Sequence, residues 1–423
     1  MTGSLGLIPD ETVSQGVAKK MVYAGVHARS FEESSGFCGE LAELDIQGRR
    51  IGRLVKKIGT ERVEQRDLET ESWQAFTSKQ RAILAVAEPP KCVAVSMDGG
   101  RLQIRERVAA EAAVETSEGS PAPQAAEAYC SEKGKFWKEM KGGLLMELEA
   151  VSFDEDPYPK IPEVFVDPKR MARLASEVHG GASGGSASER ESPDEDLSEE
   201  PYDSPKILRR HVIASRRDVK SFGPHLASEA WRLGFMHAEK GGFVCDGSET
   251  NWGVWRTYFP DFTPITDFVH AVCYLYQAVM QNLPVDEGWD LYCRMAQMLW
   301  SGEPAEVLDG LLGLQQEVGL PSPDESDSSP RNHLAAAIRY LKNQQSRMRY
   351  AAYRQAGLPV TSCHMESTIK QINRRVKGTE KFWSEDGGEA ILQLAADYLS
   401  DHSPLDGFWP RRENQADGVR RYR

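Results

Sequence analysis

The 423-residue chain is 40% apolar and 27% charged, a balance that excludes a disordered class and allows two or three domains with a sizeable core. No apolar run approaches the roughly 18–20 residues needed to cross a bilayer, and the start MTGSLGLIPDETVSQG lacks the basic-then-apolar pattern of a signal peptide, so a cytoplasmic, nucleoid-associated protein is expected. The net charge of −13 speaks against a nucleic-acid partner only at first sight, because eight carboxylates between Glu189 and Asp203, opposed by Arg190 alone, supply −7 of it.

Residues 31–70 read as helical. Phe31, Leu41, Leu44, Ile51, Leu54, Val55 and Ile58 recur at helical spacing, interrupted by the turn Asp45-Ile46-Gln47-Gly48. The second of the two helices carries Arg49, Arg50, Arg53, Lys56 and Lys57. A short turn before a basic helix fits a helix-turn-helix DNA reader; it fits equally a helical hairpin with a solvated basic face. Residues 1–85 form this helical N-terminal region.

KCVAVSMD, at 91–98, is a nearly continuous apolar run ending in a carboxylate. Gly99-Gly100 predicts a tight turn, and RLQIRERV alternates as a second strand. Residues 109–128, rich in Ala, Glu, Pro and Ser, predict a long loop. FWKEMKGGLLMELEAVS, at 136–152, completes a three-stranded antiparallel meander. Residues 179–205 turn Gly/Ser-rich and then acidic, the composition of a disordered linker.

A helix (SFGPHLASEAWRLGFMHAEK), a strand (GGFVCDG), a helix (TNWGVWRTYF) and a strand (TPITDF) follow, and their alternation implies parallel strands added to the meander. Helical pattern then runs to about residue 317, resumes after a loop at 321–330, breaks at Pro359 and ends in a helix over 363–378. The order matches an RNase H-like α/β fold, a mixed sheet flanked by helices. Its core would span 90–178, 206–283 and 358–410, with a helical insertion at 284–357 before the last catalytic helix and a basic tail at 411–423. The seven cysteines (38, 92, 130, 245, 273, 293 and 363) form no C-x-x-C pair, which predicts free thiols.

Three carboxylates stand out by context. Asp98 and Asp246 each end an apolar strand and precede glycine, and Glu366 lies in the first turn of a helix. Strand-end acids beside glycine are well placed to hold hard cations, and phosphoryl transfer needs two such ions about 3.5–4 Å apart. An Asp-Gly after a strand is also a common plain turn, so context alone leaves both readings open. On the last helix Met365, Ile369, Ile372 and Val376 define a core face, and Glu366, Lys370, Asn373 and Lys377 follow one residue over. Acid and cations on one stripe suit a metal site flanked by DNA phosphates, or an exposed helix steadied by Glu–Lys pairs.

The segments VSMDGGRLQIRE, WKEMKGGLL, VCDGSETNWGVWRTYFPDFTPITDFVHAVCYL and LPVTSCHMESTIKQINRRVKGTEKFWSEDGGEAILQL, with ELAELDIQGRRIGRLVKKIGTE near the start, resemble the DDE transposases of bacterial insertion sequences. The nearest group is the Kra-type elements, which are similar to Mutator-like transposases. The resemblance implies that Asp98, Asp246 and Glu366 are the catalytic acids, holding two Mg²⁺ or Mn²⁺ ions. It implies double-stranded DNA as partner, both element ends and target, with a homo-oligomer on DNA, cleavage at the ends and strand transfer into the target. Asp267, in the element Asp267-Phe268-Val269-His270, is a rival second ligand. Asp246 is preferred because it ends a strand with glycine behind it, whereas Asp267 and His270 stand at a helix start and suit a capping or orienting role. An RNase H-like nuclease that cuts without joining, and a domesticated DNA-binding protein without catalysis, are the alternatives. Relatives often carry a Cys-rich N-terminal element that this chain lacks.

Overall fold

The computed structural model describes residues 13–83, 86–105, 136–180, 205–378 and 381–416. In chain order the helices are α1 (Gln15–His27), α2 (Phe31–Ala42), α3 (Gly48–Ala75) and α4 (Ser78–Arg81). Strands β1 (Cys92–Ile104) and β2 (Trp137–Leu148), helix α5 (Pro168–Gly180) and strand β3 (Ile207–Ser215) follow. Next come α6 (Val219–Arg232), β4 (Lys240–Cys245), α7 (Glu249–Tyr258), β5 (Thr263–Thr266) and α8 (Phe268–Met280). The remainder comprises α9 (Val285–Trp300), α10 (Pro304–Val318), α11 (Pro330–Gln344), α12 (Tyr350–Gln355), α13 (Cys363–Val376), β6 (Phe382–Trp383), α14 (Glu385–Leu399) and α15 (Leu405–Ala416).

These strands form one open mixed sheet in the order β3-β2-β1-β4-β5, with β6 beside the far end of β1. The β1–β2 and β2–β3 pairs are antiparallel, and β1–β4 and β4–β5 are parallel. Along β1, Val93, Val95 and Met97 enter one core, and Ala94, Leu102 and Ile104 enter the other. This period of two is why the first half of β1, Cys92–Met97, is apolar at every position but Ser96: both of its faces are covered by helices. One face carries α6 and α7, through Phe222, Leu226 and Trp252. The other carries α13, α14 and α8, and the same core continues into α1, α2 and α3.

Three sequence expectations need correction. Gly99-Gly100 is no turn: β1 runs through both, pairing them with Lys141 and Met140 of β2, and neither has the positive φ that a tight hairpin demands. RLQI is thus the second half of β1, not a second strand. The meander exists, but its third strand is β3, which the sequence reading passed over. Leu208, Arg209 and Arg210 at its start are all exposed, and that charged opening hides the buried run behind it. Helix α1 was also unassigned. The expected loop at 109–128 lies outside the described residues, as do 181–204 of the expected linker and 417–423 of the expected basic tail; residues 411–416 close α15.

Helices α2 and α3 are joined by the short segment 43–47, but α3 is long, and its second half is fastened to the sheet layer. Buried Arg62 donates from Nε to Asp397 of α14 at 2.8 Å, and buried Arg66 donates to Glu389 of α14 at 2.8 Å. Among the described residues no helix is long and apolar enough to cross a membrane. Among the described residues no cysteine forms a disulfide.

Candidate metal centre

In the parallel register Ser96 lies beside Val244, and Cys245 beside Thr266. Continued along the three strands, that register sets Asp98, Asp246 and Asp267 on one line across the sheet. Asp98 lies within β1; Asp246 and Asp267 are the first residues past β4 and β5. Helix α13 crosses the same face and brings Glu366. Beneath it lies Gly142, the β2 residue paired with Asp98. A Cβ at Gly142 would lie 2.6 Å from Ile369 Cδ1 and 2.7 Å from Met365 Cε, so a larger residue there would press on the tips of two α13 side chains.

Asp246 is held from both ends. Its Oδ1 accepts from Ser248 N at 2.9 Å and from Asn251 Nδ2 at 2.9 Å, an Asx turn feeding the start of α7. Its carbonyl accepts from Tyr340 Oη at 2.9 Å, and the next carbonyl, of Gly247, accepts from Gln344 Nε2 at 2.8 Å. Gly247 has φ +94°, and a Cβ there would stand 3.0 Å from the Tyr340 ring. Both Tyr340 and Gln344 belong to α11, so the helical block between α8 and α13 buttresses this loop.

Asp267 has a different station. It is fully buried and caps α8. Oδ1 accepts from Val269 N at 3.2 Å and Ser362 N at 3.0 Å, and Oδ2 pairs with His270 Nδ1 at 2.5 Å. These partners occupy the carboxylate with protein donors, the capping and orienting role expected for it. His270 Nε2 has no hydrogen bond among the described residues.

Asp267, His270 and Glu366 each place a ligand atom within 4.8 Å of the others, and among the described residues this is the group so arranged. The expected trio of Asp98, Asp246 and Glu366 is not itself that close. The acids still act on one another. Burial pushes the Asp98 carboxyl above its ordinary range, the Gly99 N–H and His270 oppose that, and Asp246 and Asp267 add to it. Burial, with Asp267 and Asp98 reinforcing it, pushes Glu366 up to about 7. For His270 burial opposes the charge, but the Asp267 hydrogen bond and the charges of Asp267, Asp246 and Glu366 win and push it up to about 10. Four partly or fully buried carboxyls around one imidazole make a site short of positive charge.

The expected DNA contacts divide into two groups. Arg49, Arg50, Arg53 and Lys56 are exposed on the first half of α3, as are Lys370 and Lys377 on α13, while Asn373 is half-buried. Other basic runs are engaged in the fold: Arg210 with Asp401, Arg217 with Asp67, and buried Arg354 with Asp156. Trp252 is a core residue, and its indole donates to Gln344. Sequence reasoning missed Ser248, Asn251, Tyr340 and Gln344. The pattern Asp246-Gly247-Ser248, with Ser248 capping α7, was a legible signal for the first two; nothing local marks the last two. Neither a protein-family model nor a curated protein sequence matches the chain.

Proposed function

We propose that this protein is a metal-dependent DNA strand-transfer enzyme of the DDE transposase type on an RNase H-like core. The observation that carries the reading is the alignment of Asp98, Asp246 and Asp267 across the sheet by the parallel register, with Glu366 of α13 reaching the Asp267–His270 pair. The strand order and directions support it, as does the entry of the last acid on a helix after an inserted helical block.

The donor set fits a hard divalent cation. Carboxylate oxygens are the ligands Mg²⁺ and Mn²⁺ prefer, and desolvated acids in mutual repulsion gain most from such an ion. Asp98, Asp246 and Glu366 are the ligands proposed, and Asp267, which lies within ligand distance of Glu366 and His270, is the rival for the second position. When bound, the metal supplies an activated oxygen nucleophile and charge neutralisation at the phosphate. The chain's own contribution is positional. Ser248 and Asn251 fix Oδ1 of Asp246, leaving its second oxygen without a hydrogen bond among the described residues. Asp267 holds the His270 ring by Nδ1, so that Nε2 is the nitrogen available to the site. Lys370, one turn after Glu366, offers positive charge to an approaching phosphate.

The test is cleavage and joining of a labelled duplex carrying the element end, with Mg²⁺ or Mn²⁺. Asp98→Asn, Asp246→Asn and Glu366→Gln are expected to abolish both reactions. Full activity of Asp98→Asn or Glu366→Gln removes the proposed centre, and an active Asp246→Asn beside an inactive Asp267→Asn exchanges the second ligand. Pre-cut ends separate joining from cutting: a protein that cuts but never joins is a nuclease.

A further inference from the structure

A second cleft lies on the other flank of α13. Arg375 is nine residues beyond Glu366, about 14 Å along the axis and half a revolution round it. The cleft holds about 300 Å³ and is walled by Phe31, Lys56, Arg375, Lys381 and Trp383, with exposed Arg29 beside them.

Arg375 is only 6% exposed. Its guanidinium lies over the rings of Phe31, at 4.6 Å, and Trp383, at 5.0 Å. Nε donates to the Gly25 carbonyl at 2.8 Å, whereas one terminal nitrogen has no hydrogen-bond partner. A buried guanidinium with an idle donor is costly unless something anionic completes it. Burial lowers its pKa to about 10, and Glu33 offsets that only in part.

The first turn of α14 reaches the same cleft through Ser384 and Gly387, adding the partial positive charge of a helix start. The acids of that turn are engaged: Glu385 with Arg216 at 3.2 Å, and Asp386 near Lys56 at 3.7 Å. Between the two flanks, the exposed side of α13 presents Lys370, Arg374 and Lys377, and Glu366 is the sole acid of that helix.

We infer that this cleft binds a phosphate group of a nucleic-acid strand crossing the exposed side of α13, as a contact separate from the acid cluster. Planar guanidinium, flanking lysines and a helix start are the donors a phosphodiester takes, and the cationic strip gives the strand a path between the sites. The nucleic-acid identity of the ligand rests on the function proposed above.

Fluorescence anisotropy with a labelled 30-base-pair duplex, in EDTA and over a series of salt concentrations, tests it. The Arg29→Ala/Lys56→Ala double variant, both positions being exposed, should keep the native melting temperature. Its affinity should fall roughly 5- to 20-fold, and the slope of log Kd against log salt should drop by about one to two. Arg375→Lys should weaken binding similarly, since a lysine keeps the charge but loses the planar fork. Unchanged affinity and slope in a folded double variant overturns the inference. Arg331→Ala, at an exposed position outside the cleft, serves as the control and should bind as the wild type does. A protein that binds through the cleft yet never cuts keeps this inference and loses the proposed function; one that cuts while indifferent to the cleft does the reverse.

Discussion

The hydroxyl of Tyr340 donates to the main-chain carbonyl of Asp246 at 2.9 Å, tying a helix of the inserted block to the residue proposed as the second metal ligand. One turn later on α11, Gln344 receives the Trp252 indole at 2.9 Å and Arg347 at 3.0 Å, while donating to Gly247. The block is therefore part of the site's scaffold. Tyr340→Phe is expected to cost about 1 kcal/mol, one neutral hydrogen bond. Gln344→Leu should cost about 2–3 kcal/mol, since it orphans several buried partners at once. Both should slow cleavage more than they weaken DNA binding, as read from single-turnover rates beside anisotropy titrations. Equal losses in the two measurements would place α11 in binding instead.

Gly142 lies directly under the Met365 and Ile369 side chains of α13. Gly142→Val should force Met365 and Ile369 aside and lift Glu366 with them, at a stability cost of about 1–3 kcal/mol. Urea melts measure the cost. The loss of metal-dependent cleavage should exceed what the lowered stability explains, and an active, destabilised variant would disprove the link.

Divalent metal should stabilise the folded chain. A ligand present at one hundred times its dissociation constant adds about 2.7 kcal/mol when only the native state binds it. Adding Mg²⁺ or Mn²⁺ should therefore raise the wild-type melting temperature. Glu366→Gln and Asp98→Asn should abolish that rise, while melting above the wild type in EDTA, because each relieves a desolvated like-charge contact. Identical metal responses in wild type and variants would count against the centre.

The layer between β3 and α6 predicts acid lability. Burial, then the charge of Arg66, pushes buried His225 well below its ordinary 6.5. Burial alone would raise Glu229, but the hydrogen bond and charge of His211, at 3.1 Å, and the Arg232 guanidinium hold its carboxyl well below its usual 4.5. The unfolded chain binds more protons at both positions. The contribution of these two groups is thus complete above about pH 6.5, declines below it as His225 comes into play, and declines further below about pH 4.5 through Glu229, whereas the raised Glu366 and His270 add stability as the pH falls. Denaturation midpoints followed from pH 8 down to pH 4 check this, and His225→Gln should flatten the upper step.

The buried Arg62–Asp397 pair makes the N-terminal helices integral to the fold. Asp397→Leu, which strands a buried guanidinium, should cost about 3–5 kcal/mol. A chain starting at residue 86 should fail to give a cooperative thermal transition, and a sharp one would show that the sheet stands alone.

The sequence made β1, β4 and β5 legible because buried residues in each lead up to Asp-Gly or Asp-Phe. It concealed β3, whose first residues are exposed arginines, and it misled at Gly99-Gly100, where a glycine pair usually means reversal but here continues a ladder. The acids were legible as strand ends and helix starts. The difference between Asp246 and Asp267 was legible only in outline: position gave the cap, but the Ser362 N–H that completes it comes from 95 residues away. Tyr340 and Gln344 carry no local mark at all, since their partners are main-chain carbonyls brought near by tertiary packing.

Helix α3 offers cations at one end and is bolted to α14 at the other by Arg62 and Arg66. If a duplex rests on Arg49, Arg50 and Arg53, no tether separates it from the acid cluster, since α3 and the helices over the sheet share one packed core. Capture would then also be alignment, and the entropy of orienting the strand would already be settled on arrival.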